Sequence, residues 1–160
     1  MMRTCRSEPY VTAKAAVETL MVTQHGETGD PALPLDPAWA MYEVMARTGR
    51  FVCLILREDE RPIGYAIGMV HPHINSKAIL VATVPTWYVE PMQGRPWVEK
   101  ALLHEIECRL VALGATRVTV ETHADKSAAR LLEVMHHKAT KIAYTIDADQ
   151  ILGKANRQEA

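Results

Sequence analysis

The chain has 160 residues, of which 48% are hydrophobic and 23% are charged, and its net charge at pH 7 is −1. This length and composition are those of one globular domain with a substantial core. The small net charge gives no field that would attract nucleic acid or an anionic membrane surface. Because the sequence also lacks a bilayer-spanning apolar run and a signal-peptide core, we expect a cytoplasmic protein with no nucleic-acid or membrane partner.

The cysteines and histidines give no sign of a disulfide or a metal site. Cys5, Cys53 and Cys108 are widely spaced and odd in number. Cys53 and Cys108 lie within apolar patterns, so they are predicted to be small buried side chains in a reducing compartment. The histidines have no partner ligands at metal-binding spacing, and no metal is predicted.

The N-terminal third is predicted to be helical, with one irregular interruption. A first helix is predicted over residues 11–22, with Val11, Ala15, Leu20 and Val22 near one apolar face. Residues 26–37 are too rich in glycine and proline for regular structure and are predicted to be a loop. A strand in residues 1–8 would suit the order of elements, but no pattern identifies one.

A second helix is predicted over residues 38–47. Asp36 is a typical helix cap and Pro37 a typical first-turn residue. Gly49 follows the last apolar position and is the expected stop signal.

From residue 50 the pattern changes to that of a sheet. Residues 51–56 are an unbroken apolar run, which is typical of a strand covered on both faces. Residues 63–70 are predicted to be its antiparallel partner. A third strand is predicted over residues 78–89, with a bulge or interruption near Pro85, because proline cannot donate to the ladder.

The remaining elements alternate between helix and strand. A main helix is predicted over residues 96–113, ending at Gly114, with an apolar stripe of Val98, Leu102, Ile106, Leu110 and Leu113. After it we predict a strand over 116–122, a helix from Asp125 or Ser127 to Met135, and a last strand over 140–146. The chain is therefore predicted to be one domain over residues 1–147 with a polar tail over 148–160.

This order of elements resembles that of the GNAT superfamily of N-acetyltransferases, over roughly residues 50–147. Val89 and Pro91 match the family's Val-x-Pro at the end of the splayed strand, and the apolar residues 101–103 match the start of its main helix. The resemblance implies an α+β (α/β) fold: a mixed central sheet, mostly antiparallel in its N-terminal half, with helices on both faces. It also implies that acetyl-CoA binds where the strand splays, with its pyrophosphate at the N-terminus of the main helix.

By this resemblance, the cofactor-binding residues are expected to be Tyr88, Val89, Gly94, Arg95, Trp97 and Val98. The family's glycine-rich loop falls on residues 94–99, where one glycine remains. Pro96 removes an amide, and Trp97 places a large side chain where glycine would allow close approach of a ligand. The acetyl-CoA site is therefore predicted to be degenerate.

The resemblance assigns no catalytic residue. Leu132 falls where the family's general-acid tyrosine would be, and residues 78–89 contain no acidic side chain that could act as a base. Substitute acid–base groups acting through water could be His71, His73, Tyr88 or His137, although each is more readily interpreted as an ordinary surface or turn residue.

Two functions stay open at this stage. In the first, the chain is a GNAT-fold acetyltransferase that transfers an acetyl group from acetyl-CoA to an unidentified amine. In the second, it is a catalytically inactive GNAT-fold structural or interaction protein. Its size and degenerate site are similar to those of the GNAT-like proteins of tailed bacteriophages, some of which are virion components. The second hypothesis therefore predicts assembly with other proteins through the tails and a place in the virion.

Overall fold

The computed structural model describes residues 3–29, 33–92, 94–122 and 126–139. The predicted strand over 140–146, the tail over 148–160 and the candidate helix start at Asp125 lie outside these residues. Within them the chain forms five strands and four helices, in the order β1 (Arg3–Ser7), α1 (Tyr10–Thr28), α2 (Trp39–Ala46), β2 (Phe51–Glu58), β3 (Arg61–His73), β4 (Ser76–Val89), α3 (Arg95–Ala112), β5 (Val118–Val120) and α4 (Lys126–Val134).

The strands form one sheet in the order β1-β2-β3-β4-β5. The first four are antiparallel neighbours, and β5 pairs parallel to β4. This confirms the predicted mixed sheet, mostly antiparallel in its N-terminal half. The apolar run of β2 is buried, as its unbroken pattern predicts. At the turn between β2 and β3, Asp59 and Glu60 both have positive φ, 46° and 70°, which is the conformation of a tight two-residue hairpin.

Helices cover both faces of the sheet, as predicted. On one face, Val17 and Leu20 of α1 pack with Tyr65 and Tyr88 of the sheet. On the other face, α3 buries a stripe of Val98, Leu102, Leu103, Ile106 and Leu110. Burying each aliphatic side chain stabilises the fold by about 1.5–3 kcal/mol. The stripe confirms the predicted one except at Leu113, which follows the helix and is 39% exposed.

The predicted apolar face of the first helix is not the face that meets the sheet. Val11 and Val22 are 83% and 59% exposed. The face that meets the sheet consists instead of Tyr10, Ala13, Val17, Leu20 and Met21. These residues recur at the three- and four-residue spacing that places side chains on one side of a helix.

The predicted boundaries around the following loop are also wrong. α1 continues through Gly26 to Thr28, and Thr28 Oγ1 donates to the Gln24 carbonyl at 3.1 Å. The cap of α2 is Ala38 rather than Asp36, without a side-chain hydrogen bond. Tertiary contacts in the last turn of α1, described below, outweigh the roughly 1 kcal/mol that a helical glycine costs.

β1 has no counterpart in the sequence pattern, because only two of its five side chains, Thr4 and Cys5, are even half-buried. Polar contacts fix its place beside β2. Arg3 Nε donates to Glu58 Oε1 at 2.8 Å. Just after the strand, Arg57 donates to both carboxylate oxygens of Glu8, at 2.9 and 3.0 Å, which is the bidentate geometry that arginine favours.

Of the two cysteines predicted to be buried, Cys53 is buried and Cys108 is exposed. Cys108 lies two residues from both Ile106 and Leu110, which face the sheet. A two-residue step turns a helical side chain by roughly 200°, so the position faces outward.

β4 contains the predicted bulge. Ile67 pairs with Thr86, and Met69 pairs with Thr83. Two steps along β3 therefore correspond to three along β4, so β4 has one extra residue in the segment that includes Pro85. This confirms the prediction of an irregularity there and agrees with the inability of proline to donate to a ladder.

The close packing of β3 on β4 can be tested at Gly64. A Cβ there would lie 2.8 Å from the Tyr88 carbonyl oxygen and 3.1 Å from Val89 Cγ2. Because backbone cannot yield as a side chain can, we expect Gly64→Ala to lower the free energy of unfolding by about 1–3 kcal/mol. Gly26→Ala is the matched control, because a Cβ there meets no atom within 4 Å and should stabilise α1 by about 0.5–1 kcal/mol. Urea denaturation measures both, and equal effects would contradict the packing described.

Candidate functional site

A cleft of about 720 Å³ opens where β4 and β5 part. β5 pairs with β4 only from Ala82 to Val84, which ends at the bulge. Past this point the Glu121 amide donates to the Val84 carbonyl at 2.9 Å, and the Trp87 indole donates to the Glu121 carbonyl at 3.2 Å. A side chain thus spans the gap that a backbone ladder would otherwise close.

Five parts of the described chain line this cleft. They are the last turn of α1, the end of β4, the first turn of α3, the residues after β5 and one side of α4, and they contribute Gln24, Glu27, Thr28, Pro85, Thr86, Trp87, Tyr88, Arg95, Pro96, Glu99, Glu121, Thr122, Ala128 and Leu131. The cleft lies within the size range of small-molecule and cofactor sites, roughly 300–1,000 Å³.

Glu27, Tyr88 and Arg95 meet in the cleft, and we call them the Glu27–Tyr88–Arg95 cluster. The Tyr88 hydroxyl donates to Glu27 Oε1 at 2.6 Å. Arg95 Nη1 lies 3.8 Å from Glu27 Oε2, and the Arg95 guanidinium lies 5.5 Å from the centroid of the Tyr88 ring. Arg95 Nε also donates to Glu99 Oε1 at 2.7 Å. The arginine charge is therefore shared between two carboxylates.

Tyr88 holds its proton firmly. Burial raises the pKa of the Tyr88 hydroxyl well above its ordinary value, and the hydrogen bond to the Glu27 carboxylate and the negative charge of that group raise it further. Burial disfavours the charged phenolate, and a hydrogen bond that the neutral form donates has the same effect. Tyr88 is accordingly a hydrogen-bond donor over the whole physiological pH range.

A second polar network lies beside the cluster and around Tyr65. The Tyr65 hydroxyl donates to Gln24 Oε1 at 2.5 Å and lies 2.9 Å from Thr86 Oγ1. Gln24 Nε2 in turn donates to the Trp87 carbonyl at 3.4 Å. Burial raises the pKa of Tyr65 far above its ordinary value. This network joins the end of α1 to the splayed half of β4.

A second cavity, of about 380 Å³, adjoins the cleft on the side of α1 and α2. The two cavities share three lining residues, Gln24, Thr28 and Thr86. Most of the other walls of the second cavity are apolar, and they include Met21, Leu33, Pro34, Leu35, Pro37, Tyr42 and Tyr65. His25 Nε2 lies 2.9 Å from the Leu33 carbonyl oxygen and ties the far wall to α1.

The N-terminus of α3 has few amides left for a ligand. Gly94 is its cap, with a left-handed φ of 75°. The Arg95 amide donates to the Met92 carbonyl at 3.2 Å, and the amides of Trp97 and Val98 donate to the Gly94 carbonyl at 3.0 and 3.4 Å. The proline at position 96 has no N–H to offer.

The six predicted cofactor-binding residues lie in three different places in the structure. Tyr88 and Arg95 both line the cleft. Gly94, Trp97 and Val98 line a third cavity, of about 450 Å³, between α3 and β1, where the Trp97 side chain is 75% exposed. Val89 is fully buried in the core beneath α3. Their roles in binding a cofactor stay predictions.

Of the four residues considered as acid–base groups, only Tyr88 lines the cleft. His71 lies 3.3 Å from Thr83 Oγ1 on the far half of the β3–β4 hairpin. His73 accepts from the Asn75 amide at its tip, and His137 Nε2 lies 2.8 Å from Glu107 Oε1 behind α3. From α4 the cleft receives Ala128 and Leu131, so Leu132 does not line it.

The sequence interpretation missed Glu27. It lies in the stretch predicted to be a loop, and 61 residues separate it from Tyr88. Nothing in the local sequence pattern indicated which strand its carboxylate would meet.

Residues 3–29, 33–92, 94–122 and 126–139 contain no group of three or more His, Cys, Asp or Glu side chains placed to hold a metal ion. Across the same ranges, every helix is too short or too polar to cross a bilayer.

Comparison with known proteins gives matches in structure only. No family model matches the sequence, and no curated protein matches it. Among solved structures, the aminoglycoside N-acetyltransferase AAC(6')-Iy with a bound bisubstrate analogue superposes with a TM-score of 0.72 at 16% identity, covering 92% of this chain and 98% of that one. This chain has a GNAT-like fold.

Two other acetyltransferases agree with this assignment. A putative acetyltransferase from Agrobacterium tumefaciens matches with a TM-score of 0.70 at 15% identity, over 90% of this chain and 99% of that one. The ribosomal-protein-alanine N-acetyltransferase from Brucella melitensis matches with a TM-score of 0.69 at 15% identity, over 92% and 99%. AAC(6')-Iy has also been solved with CoA bound. At these identities the likeness establishes the fold alone.

The contact between Tyr88 and Glu27 can be tested through stability. We expect Tyr88→Phe to lower the free energy of unfolding by about 0.5–1.5 kcal/mol, since it removes a hydrogen bond made by a buried hydroxyl. Tyr10→Phe is the control: the Tyr10 hydroxyl is buried without a hydrogen-bond partner in the described part of the chain, so its removal should leave stability unchanged or raise it. Equal losses in both variants, measured by urea denaturation, would contradict the contact.

Proposed function

We propose that the protein is an N-acyltransferase that takes an acyl group from a coenzyme A thioester and transfers it to an amine. The observation that carries the proposal is the parting of β4 from β5 after Val84 and Val120, which opens the cleft beside the N-terminus of α3. An extended thioester arm has a strand-like shape, so it could lie beside β4 in the space that β5 leaves open. The solved relatives named above are acetyltransferases of the same fold.

The residues of the cleft fit the two ends of the donor unequally. The acyl end would lie among Thr86, Trp87 and Tyr88 on β4, with Ala128 and Leu131 of α4 opposite. The pyrophosphate end would meet Arg95 and the positive end of the α3 dipole. Because Arg95 is already paired with Glu99 and Glu27 and Pro96 lacks an amide, we propose weaker binding of coenzyme A than an open glycine-rich loop would give.

The second cavity is the proposed entry for the amine. It meets the cleft at Gln24, Thr28 and Thr86, so an amine held there would approach the acyl carbon from the α1 side. Holding two reactants in line is the main requirement of this direct transfer, because orientation alone can supply several kcal/mol of the barrier. The apolar walls favour an amine with an apolar or aromatic body.

A non-catalytic GNAT-fold protein is the second candidate. It is favoured by the ion pairs of Arg95 and by the engaged amides at the start of α3, which leave little to hold a pyrophosphate. The resemblance to phage proteins, and with it a place in a virion or assembly through the tails, stays a prediction. The two candidates differ in whether coenzyme A binds in the cleft.

Titration with acetyl-CoA, by calorimetry and by thermal shift, tests this difference. We expect saturable binding to the wild-type protein and a rise in the unfolding midpoint, which mass action requires of any ligand of the folded state. Ala128→Trp should abolish binding, because Ala128 lines the cleft. Ala129→Trp is the matched control, since Ala129 is the exposed next residue on the same helix.

Two results would contradict the proposal. The absence of a shift at millimolar acetyl-CoA would favour the non-catalytic candidate. Binding that survives Ala128→Trp would place the ligand elsewhere, and the third cavity around Gly94 and Trp97 would be the alternative.

A further inference from the structure

We propose that the outer edge of β1 is a docking surface for a second copy of this chain, which adds its own β1 antiparallel to it. In the sheet order β1 is the end strand, and β5 with the cleft lies at the other end. Docking at β1 therefore does not depend on the proposed function. Among the described residues, β1 has a partner strand on one side only, which is β2.

One hydrogen bond identifies the backbone groups of β1 that point away from β2. The Glu8 amide donates to the Cys53 carbonyl at 3.1 Å, so the backbone of Glu8 faces β2. In an antiparallel pair, successive residues of a strand point their N–H and C=O groups alternately toward and away from the partner. The even-numbered residues of β1 therefore face β2 as well. The outward backbone groups belong to the odd-numbered residues Arg3, Cys5 and Ser7.

This edge lacks most of the features that usually keep strands from pairing. Bulges, prolines and unpaired charges are common means of protecting an edge strand. β1 contains no proline and no glycine, and its register with β2 runs from Arg3 to Ser7 without a bulge. The charge of Arg3 is paired with Glu58 at 2.8 Å within the chain. The described part of the chain therefore leaves the outer backbone of β1 available to a further strand.

The sequence of β1 fits an antiparallel copy of itself in one register. Because outward groups must meet outward groups, full overlap of the five residues centres the two-fold axis on Cys5. Arg3 then lies opposite Ser7 of the second copy. Arg6 lies opposite Thr4 of the second copy, so no two arginines meet. An axis at Arg6 would place two arginines directly opposite each other, which is destabilising, and an axis at Thr4 would shorten the overlap.

An exposed tryptophan lies beside the same edge. Trp97 is 75% exposed, and it lines the third cavity together with Arg3 and Cys5 of β1. A two-fold axis normal to the sheet places the α3 helices of both copies on one face, so a second copy would also cover apolar surface around Trp97. Tryptophan is enriched among the residues that contribute most to interfaces. The docking surface thus combines a strand edge, which supplies about six backbone hydrogen bonds, with an apolar contact.

Sedimentation velocity of the full chain over a range of protein concentrations tests the proposal. We expect a reversible dimer in the wild-type protein. Cys5→Pro should abolish it, because proline has no N–H to offer and its ring would occupy the path of the incoming strand. Cys5→Ala is the matched control, which keeps the N–H and should dimerise as the wild-type protein does. Since this N–H points away from β2, both variants should fold, which circular dichroism checks.

Ser7→Arg and Ser7→Glu test the register. Ser7 is exposed on β1, and in the proposed register position 7 lies opposite Arg3 of the second copy. Opposite charges stabilise a strand pair and like charges destabilise it. Since each pair occurs twice in the dimer, we expect the dissociation constant of the dimer to rise by about 2–30-fold in Ser7→Arg and to fall by a similar factor in Ser7→Glu.

Three results would overturn the proposal. A wild-type protein that stays monomeric at every concentration contradicts a second copy as the occupant, and it is the result expected if the edge binds an extended segment of another protein instead. A dimer that persists in Cys5→Pro lies on another surface. Equal shifts in Ser7→Arg and Ser7→Glu contradict the register. The titration with acetyl-CoA is independent of all three.

Discussion

The register of β4 on β3 shifts at a bulge that contains one residue unable to donate to a ladder, Pro85. Pro85 lies in the bulge between Thr83 and Thr86, and β5 stays beside β4 only up to Val84. The cleft opens directly beyond this bulge, where the described part of β5 no longer pairs with β4. The bulge also sets the register in which Tyr88 meets α1 and Trp87 faces α3. The three residues of β4 that line the cleft beyond the bulge are Thr86, Trp87 and Tyr88.

The charges of the cleft follow from the same geometry. Arg95 begins α3 beside the opening, where a helix N-terminus and a guanidinium together favour an anion. Glu99 and Glu27 supply that negative charge from within the chain. A phosphate group would have to share Arg95 with them, which is why the fold is compatible both with an acyltransferase of modest donor affinity and with a protein that has lost the donor. The affinity for the donor distinguishes these two possibilities. It depends on the ion pairs of Arg95 and on the hydrogen-bonded amides at the start of α3.

The sequence predicted those parts of the fold that a local pattern encodes. The apolar runs of β2 and β3, the stripe of α3 and the bulge at Pro85 could all be predicted, because each depends on the residue types at a fixed spacing. The buried face of α1 and the strand β1 could not. In α1, alanines and valines occur on both sides, so the sheet determines which side is buried; β1 is held largely by contacts such as that of Arg3 with Glu58. Glu27 was missed for a similar reason, since its role depends on a contact across 61 residues.

The central claim is that a coenzyme A thioester lies in the cleft between β4 and β5, with its acyl end among Thr86, Trp87 and Tyr88. A crystal structure of the protein with bound CoA tests it most directly. The account predicts that the thiol lies in the cleft, within hydrogen-bonding reach of the Tyr88 hydroxyl, and that the Trp87 indole and the Glu121 carbonyl remain at its edge. Electron density for CoA in the cavity lined by Gly94 and Trp97, with the cleft empty, would contradict it.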